Sequence, residues 1–387
     1  MMKVPDSNEF NREIVSDSIL PWHRHDGRSS TSAHLNPVTI GVLKGEGIGV
    51  EIIESTLEVL SAVTDQTGIK FEVQIGGSIG LDAIAQGGKP LSTSVMKFCD
   101  DVFERGGVIL CGPGGDRFVY DMRRRFDLYC KLNPLVPNPA LLSCSRLKSE
   151  AVNDVDVLVV RDNAGGIYQG KWCETHDENQ KRVCSQEFSY SEDQVQRIVR
   201  VAAKVATQRR GKITAIVKPN GVPTISKLWQ EVTDSVASQF DISVDYLEVD
   251  NAAYQLLRSP ERFDVIVTPN LFGDILADLG GLLLGSRGLC FGASFSDRGA
   301  AVYQTNHGAA YDLAGKDRAN PVAQIRSLAM MLDFSFGLTK EADRIVDAIT
   351  TVWASGVRTD DLAEPGCRCV GTRELTNLIV DAFVGGS

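Results

Sequence analysis

Apolar and polar positions along this chain repeat with two periods. From Val38 the run VTIGVL has the character of a buried strand, KGEGIG follows as a turn, and VEIIESTLEVLSAV then spaces its apolar residues as a helix does. Further strands are predicted at Lys70 to Ile75, Gly107 to Leu110, Val155 to Val160, Ile213 to Val217, Ser243 to Leu247 and Val265 to Thr268. Amphipathic stretches such as EDQVQRIVRVAAKVATQ and ISKLWQEVTDSVASQF lie between several of them. Alternation of this kind predicts an α/β fold, a largely parallel sheet covered by helices. From about Pro321 the pattern turns mostly helical.

One segment breaks the alternation. Gln169 to Tyr190, QGKWCETHDENQKRVCSQEFSY, is polar and turn-rich between aromatic strand-formers. It fits a surface loop and equally a β-arm that pairs with a second subunit. The first 37 residues are polar, of mixed charge, and carry His23, His25 and His34 without a continuous apolar stretch. They predict a mobile tail in place of a secretory leader.

The 387 residues leave room for two domains and a large core, and 43% apolar with 23% charged content is that of a soluble globular protein. No apolar run approaches the length of a membrane span. A net charge of −10 argues against nucleic acid or an anionic membrane as main partner. Any anion site must therefore come from a local basic cluster. Nine cysteines at irregular spacings do not form a disulfide pattern, and Cys367 with Cys369 lacks a second ligand pair for zinc. A reducing cytoplasm is the simplest compartment.

Chemistry concentrates in a few places. In TPNLFGDILAD, Thr268 to Asp278, the helical pattern puts Asp274 and Asp278 one turn apart on one face, where they can hold a hard divalent cation. Asp250, in LEVDNAAYQLL, is a third carboxylate at the end of an apolar run. Alone, such a pair also describes a solvated helix face. MRRRFDLYCKL carries Arg123, Arg124 and Arg125, and guanidinium forks match carboxylates bidentately. Arg161, after the apolar run VDVLVV, is expected to face a cleft. Tyr168 in NAGGIYQG and Lys218 after ITAIV are candidate proton-transfer groups, or else a packed aromatic and a solvated lysine. The turn GEGIG has Gly45, Gly47 and Gly49 but not the full dinucleotide fingerprint. NHGAAYDLAGKDRANP is rich in small residues around His307 and Asp312, as a loop that lets a flat ligand approach closely.

Taken together, RDNAGGIYQG, VDNAAYQLL, TPNLFGDILAD and NHGAAYDLAGKDRANP resemble, in order and spacing, the β-decarboxylating dehydrogenases: the isocitrate, 3-isopropylmalate, homoisocitrate and tartrate dehydrogenases. The resemblance runs from about Val38 to the C-terminus. It implies a two-domain fold that is not a Rossmann fold, with residues 38–128 and 286–387 as a cofactor domain. Residues 129–285 would form a substrate and dimerisation domain with a β-arm near 169–190. It implies Tyr168, Lys218 and Asp250 as catalytic residues, the tyrosine and the lysine supplied by the neighbouring subunit of a homodimer. It further implies Mg²⁺ or Mn²⁺ on Asp250, Asp274 and Asp278, and NAD at His307, Gly308, Asp312 and Asn320. The substrate is then a small 2-hydroxy di- or tricarboxylate held by Arg123 and Arg161.

Departures from the family pattern bear on that substrate. Asn133 stands where the family has an arginine and Lys131 where it has an asparagine, which opens the prospect that Lys131 compensates. Asp116, Arg117, Val119 and Tyr120 do not reproduce an aliphatic lining for the 3-substituent. Arg117 and Tyr120 point to a polar or aromatic group there. Glu46 and Val50 replace an Asp and a Pro in the first turn, and Gln304 and Thr305 a Glu-Pro before His307. The expected activity is NAD-linked oxidative decarboxylation of a 3-substituted malate. A tartrate- or malate-type dehydrogenase and a catalytically silent regulatory subunit are the alternatives.

Overall fold

The computed structural model describes residues 38–386, so the tail expected over residues 1–37 lies outside the described residues. In chain order the strands that matter here are β1 (Val38–Leu43), β2 (Phe71–Ile75), β3 (Val108–Cys111), β4 (Cys130–Leu135), β5 (Val157–Asp162), β6 (Lys171–His176), β7 (Arg182–Glu187), β8 (Lys212–Val217), β9 (Ser243–Glu248), β10 (Val265–Thr268), β11 (Phe291–Phe295) and β12 (Ala301–Thr305). Ten of them form one sheet in the order β2-β1-β3-β12-β11-β4-β5-β10-β8-β9.

The two wings of the sheet are parallel, β2-β1-β3-β12 on one side and β5-β10-β8-β9 on the other. Between them β11 and β4 each run antiparallel to both neighbours. The α/β class is as the alternation predicted, but the centre is antiparallel. Its strands β4, β11 and β12 were not singled out from the hydrophobic pattern. The reason lies in their residues: β4 reads CKLNPL, and Lys131 and Asn133 interrupt the apolar run that marks a buried strand.

Helices cover both faces because their apolar stripes match the sheet. The Glu192–Thr207 helix begins in a capping box, Ser191 and Gln194 each accepting from the other's backbone N–H. It buries Val195, Ile198, Val199, Ala202 and Ala206 in the main core with Val159 and Val267 of the sheet. Each of the valines and the isoleucine contributes on the order of 1.5–3 kcal/mol through apolar burial, and each alanine less. The Gly49–Thr67 helix stops at Gly68, whose φ of 70° closes it as a left-handed cap.

The segment that broke the pattern is a hairpin. β6 and β7 pair antiparallel from Lys171 opposite Glu187 to His176 opposite Arg182, and every residue of both strands is exposed. Asp177 closes the tip, its side chain accepting from the N–H groups of Asn179 and Lys181.

Candidate functional site

A cleft of about 630 Å³ opens beside the antiparallel centre, lined among others by Lys131, Arg161, Asp274, Asp278, Arg287 and Asn306. Strand alternation puts Lys131 and Asn133 on one face of β4, and sheet register sets Lys131 opposite Arg161 on β5. Arg161 lies inside β5 and not after it, which buries it to 2% exposure. Burial orders it: Nε and Nη2 both donate to Asn270 Oδ1, at 3.2 and 2.8 Å, and Nη1 donates to Asp274 Oδ1 at 2.5 Å.

Asp274 and Asp278 lie one turn apart on the Asn270–Leu279 helix and both line the cleft. Burial alone would raise the Asp274 carboxyl, but Arg161 and a hydrogen bond from Tyr168 hold it below the usual carboxylate range. Asp278 accepts from Arg287 Nε at 2.9 Å. Tyr168 sits in a short 3₁₀ turn, Ile167–Gln169, entered through Gly166 at φ 74°. Its hydroxyl donates to Asp274 Oδ2 at 2.8 Å. Burial and that carboxylate push the phenol well above its ordinary range, so it stays protonated. Tyr168 therefore stands against an aspartate of its own chain, whereas the family resemblance implied a tyrosine from the neighbour.

The cationic wall is crowded. Arg123, in the last turn of the Phe118–Arg125 helix, is 6% exposed and its Nε has no hydrogen-bond partner. Burial, with Arg161 beside it, disfavours its charge. Lys131 is 4% exposed, and burial with the same two arginines lowers its pKa well below the lysine range. Asn133 is fully buried and its amide donates to Asn306 Oδ1 at 2.8 Å, with a longer contact of 3.4 Å to the Phe291 carbonyl. Its side chain is thus engaged with the protein itself.

Next to Tyr168 stands an aromatic and cationic stack. The Tyr120 ring lies 5.2 Å from that of Tyr168, and the Arg117 guanidinium sits 4.9 Å from Tyr120 and 4.7 Å from Trp172 of the hairpin. Arg117 also donates to the Tyr168 carbonyl at 3.3 Å.

Lys218 and Asp250 stand apart from this group. Lys218 follows β8, and its Nζ donates to Asp250 at 2.6 Å and Glu248 at 2.7 Å. Those bonds raise the Lys218 pKa and lower that of Asp250. Neither residue lines the cleft. Among the described residues no three His, Cys, Asp or Glu side chains gather as a metal group, so Asp250 does not join Asp274 and Asp278 within one chain. The topology explains this: Asp250 begins the helix after edge strand β9, beyond β10 and β8 from Arg161.

The glycine-rich turn and the 306–320 loop form a second face. Ile48 N–H donates to the Ala309 carbonyl at 2.8 Å, and a Cβ on Gly47 would lie 2.1 Å from that oxygen. Glu46, fully buried, accepts from Asp82 N–H, Gly115 N–H and the Tyr311 hydroxyl, tying turn to loop. His307 Nδ1 is 3.0 Å from the Gly308 carbonyl while its buried Nε2 has no partner. Burial lowers the His307 pKa, which keeps the ring neutral. Space is open beside Gly308, and Asp312 is exposed. Asn320 is engaged, accepting from Val322 N–H and donating to Asp361.

Asn270, Asn306, Arg287 and Trp172 were not identified from the sequence. Asn270 had a signal, a polar residue opening a helix after Thr268-Pro269. The other three reach the site only through tertiary packing.

Over residues 39–379 the chain matches the family model for isocitrate/isopropylmalate dehydrogenase. It is 40% identical over 355 residues to a 3-isopropylmalate dehydrogenase of Aquifex aeolicus (strain VF5), covering 88% of this chain and 96% of that protein. A 3-isopropylmalate dehydrogenase of Geobacillus kaustophilus (strain HTA426) is 40% identical over 358 residues, covering 89% and 95%. The crystal structure of isocitrate dehydrogenase from Methylococcus capsulatus superposes with a TM-score of 0.80 at 31% identity, covering 90% of this chain and 99% of that one. The chain belongs to the isocitrate/isopropylmalate dehydrogenase family.

Proposed function

We propose that this protein catalyses metal-dependent, NAD-linked oxidative decarboxylation of a 3-substituted malate, releasing carbon dioxide and a 2-oxo acid. The observation that carries the reading is the Tyr168–Asp274–Arg161 constellation at the cleft, where Lys131 opposite Arg161 adds a further buried basic group. The related proteins named 3-isopropylmalate dehydrogenase support the substrate class.

The residues fit both cofactors. Asp274 and Asp278 present carboxylate oxygens on one helix face, a hard donor set suited to Mg²⁺ or Mn²⁺. A metal held there would polarise the 2-hydroxyl and stabilise the charge that develops on decarboxylation. On the other face, the orphaned His307 Nε2, the open space at Gly308 and the free Asp312 carboxylate suit a dinucleotide. A carboxylate there accepts from ribose hydroxyls and repels a 2′-phosphate, which favours NAD over NADP. NAD bound at this face would supply the hydride acceptor for the carbinol carbon.

Within the chain, Arg123 and Arg161 bind substrate carboxylates and orient C2 and C3. Tyr168 holds its proton across the working pH range and delivers it to C3 once carbon dioxide has left. Asp250, held ionised by the hydrogen bond from Lys218, takes the proton of the 2-hydroxyl. Since neither lines the cleft, a second copy of the chain brings them in, and the homodimer completes the site.

The test is NADH absorbance with NAD⁺ and Mg²⁺ over malates that differ at C3, from malate and tartrate to isopropyl-, benzyl- and carboxyalkyl-malates, with carbon dioxide measured in parallel. Turnover with release of carbon dioxide is expected for a 3-substituted malate. Oxidation without carbon dioxide would establish the tartrate- or malate-type activity, and silence with intact NAD binding a regulatory subunit.

A further inference from the structure

Beside the Arg161–Asp274 pair, two buried basic side chains have no hydrogen-bonding or ion-pair partner among the described residues: Lys131, which lines the cleft, and Arg123. Arg161 has all three guanidinium nitrogens bonded, to Asn270 and Asp274. Lys131, opposite it on β4 and 4% exposed, has no hydrogen bond or ion pair with any described residue, and both Arg123 and Arg161 repel its charge. Arg123 makes only an aromatic contact, 5.8 Å from the Tyr120 ring. Asp274 is the one carboxylate among them, and Arg161 already neutralises it. Burial and the two arginines disfavour the Lys131 charge, and a carboxylate seated beside the amine would offset that cost and restore the charge.

We propose that Lys131 is a substrate-carboxylate anchor of this chain, acting with Arg123, and that it confines the site to acids carrying at least two carboxylates. The inference rests on the reading of the cleft as a substrate site. Asn133, two residues along the same face of β4 and so roughly 7 Å away, is bonded to Asn306 and carries no charge. The anchoring cation therefore stands beside Arg161 and Asp274, at the reacting end of the cleft. A monocarboxylate would leave one of the two unpaired cations buried and uncompensated, which disfavours its binding.

The test uses succinate, a dicarboxylate without a hydroxyl to oxidise, titrated calorimetrically into the full-length protein, with propionate as the monocarboxylate control. Lys131→Met should weaken succinate binding about 10- to 100-fold and erase the preference over propionate. In anion-free buffer the same variant should melt above the wild type, because an apolar side chain replaces a buried amine that has no partner among the described residues and faces two arginines. A merely structural lysine predicts the opposite, a lower melting point. Lys131→Gln provides the same binding comparison should the methionine variant not fold. Succinate bound equally by wild type and both variants would overturn the proposal. Wild type that binds succinate but oxidises no malate would overturn the proposed reaction and leave Lys131 standing.

Discussion

The Tyr168 hydroxyl donates to Asp274 across 2.8 Å within a single chain, while the other oxygen of the same carboxylate holds Arg161 at 2.5 Å. One aspartate thus fixes a tyrosine hydroxyl and a buried guanidinium at once. On the proposed reading, proton delivery, anion binding and metal coordination would be coupled through this carboxylate, whose charge Arg161 and Tyr168 both stabilise.

Tyr168→Phe removes the proton donor and leaves the ring on Tyr120. Expected is a loss in kcat of roughly 10²- to 10³-fold with NAD affinity unchanged, read from steady-state rates and a fluorescence titration of NADH. Full turnover in this variant would end the role given to Tyr168.

Asp274→Asn leaves Arg161 without its counter-charge. Because the Asp274 side chain is 43% exposed, the stability loss should be roughly 1–2 kcal/mol, below the range for a fully buried pair. The affinity for Mn²⁺ should fall at least about tenfold. Since the folded pKa of Asp274 is depressed, its contribution is present above about pH 4 and lost as pH falls through the folded value. Chemical denaturation at pH 3 to 7 alongside metal titration checks both effects.

Shared sites predict complementation. Tyr168→Phe and Lys218→Ala chains, each inactive alone, should recover about a quarter of wild-type activity when unfolded together and refolded as mixed dimers. Random pairing makes half of the dimers mixed, and each mixed dimer has one intact site of two. No recovery after proven subunit exchange would mean that Tyr168 and Lys218 work in one chain.

Asp162, next to Arg161, is fully buried, with one oxygen accepting from Gly165 N–H at 2.8 Å and the other unpartnered. Burial pushes its carboxyl up to about 6. The folded state then keeps a proton that the unfolded chain sheds near pH 4, so stability falls as pH rises from about 4 to 6, by roughly 3 kcal/mol. Asp162→Asn should flatten that part of the profile in urea melts. An unchanged slope would show that Asp162 ionises as freely folded as unfolded.

By itself the sequence determined the α/β class and several of the helices, because apolar periodicity reports burial directly. It also placed Asp274 and Asp278 on one helix face, since a local period of 3.6 needs no tertiary information. The central strands were not legible: Lys131 and Asn133 on β4 break the apolar run because the site is built there. Glu46 read only as a substitution in a turn, yet its carboxylate joins that turn to Tyr311, 265 residues away. The separation of Lys218 and Asp250 from Asp274, the pairing of Tyr168 with its own chain and the unpartnered state of Lys131 were decided by tertiary structure alone. Each depends on which strands become neighbours in the sheet, and that order follows from packing between segments far apart in the chain, where no local period can record it.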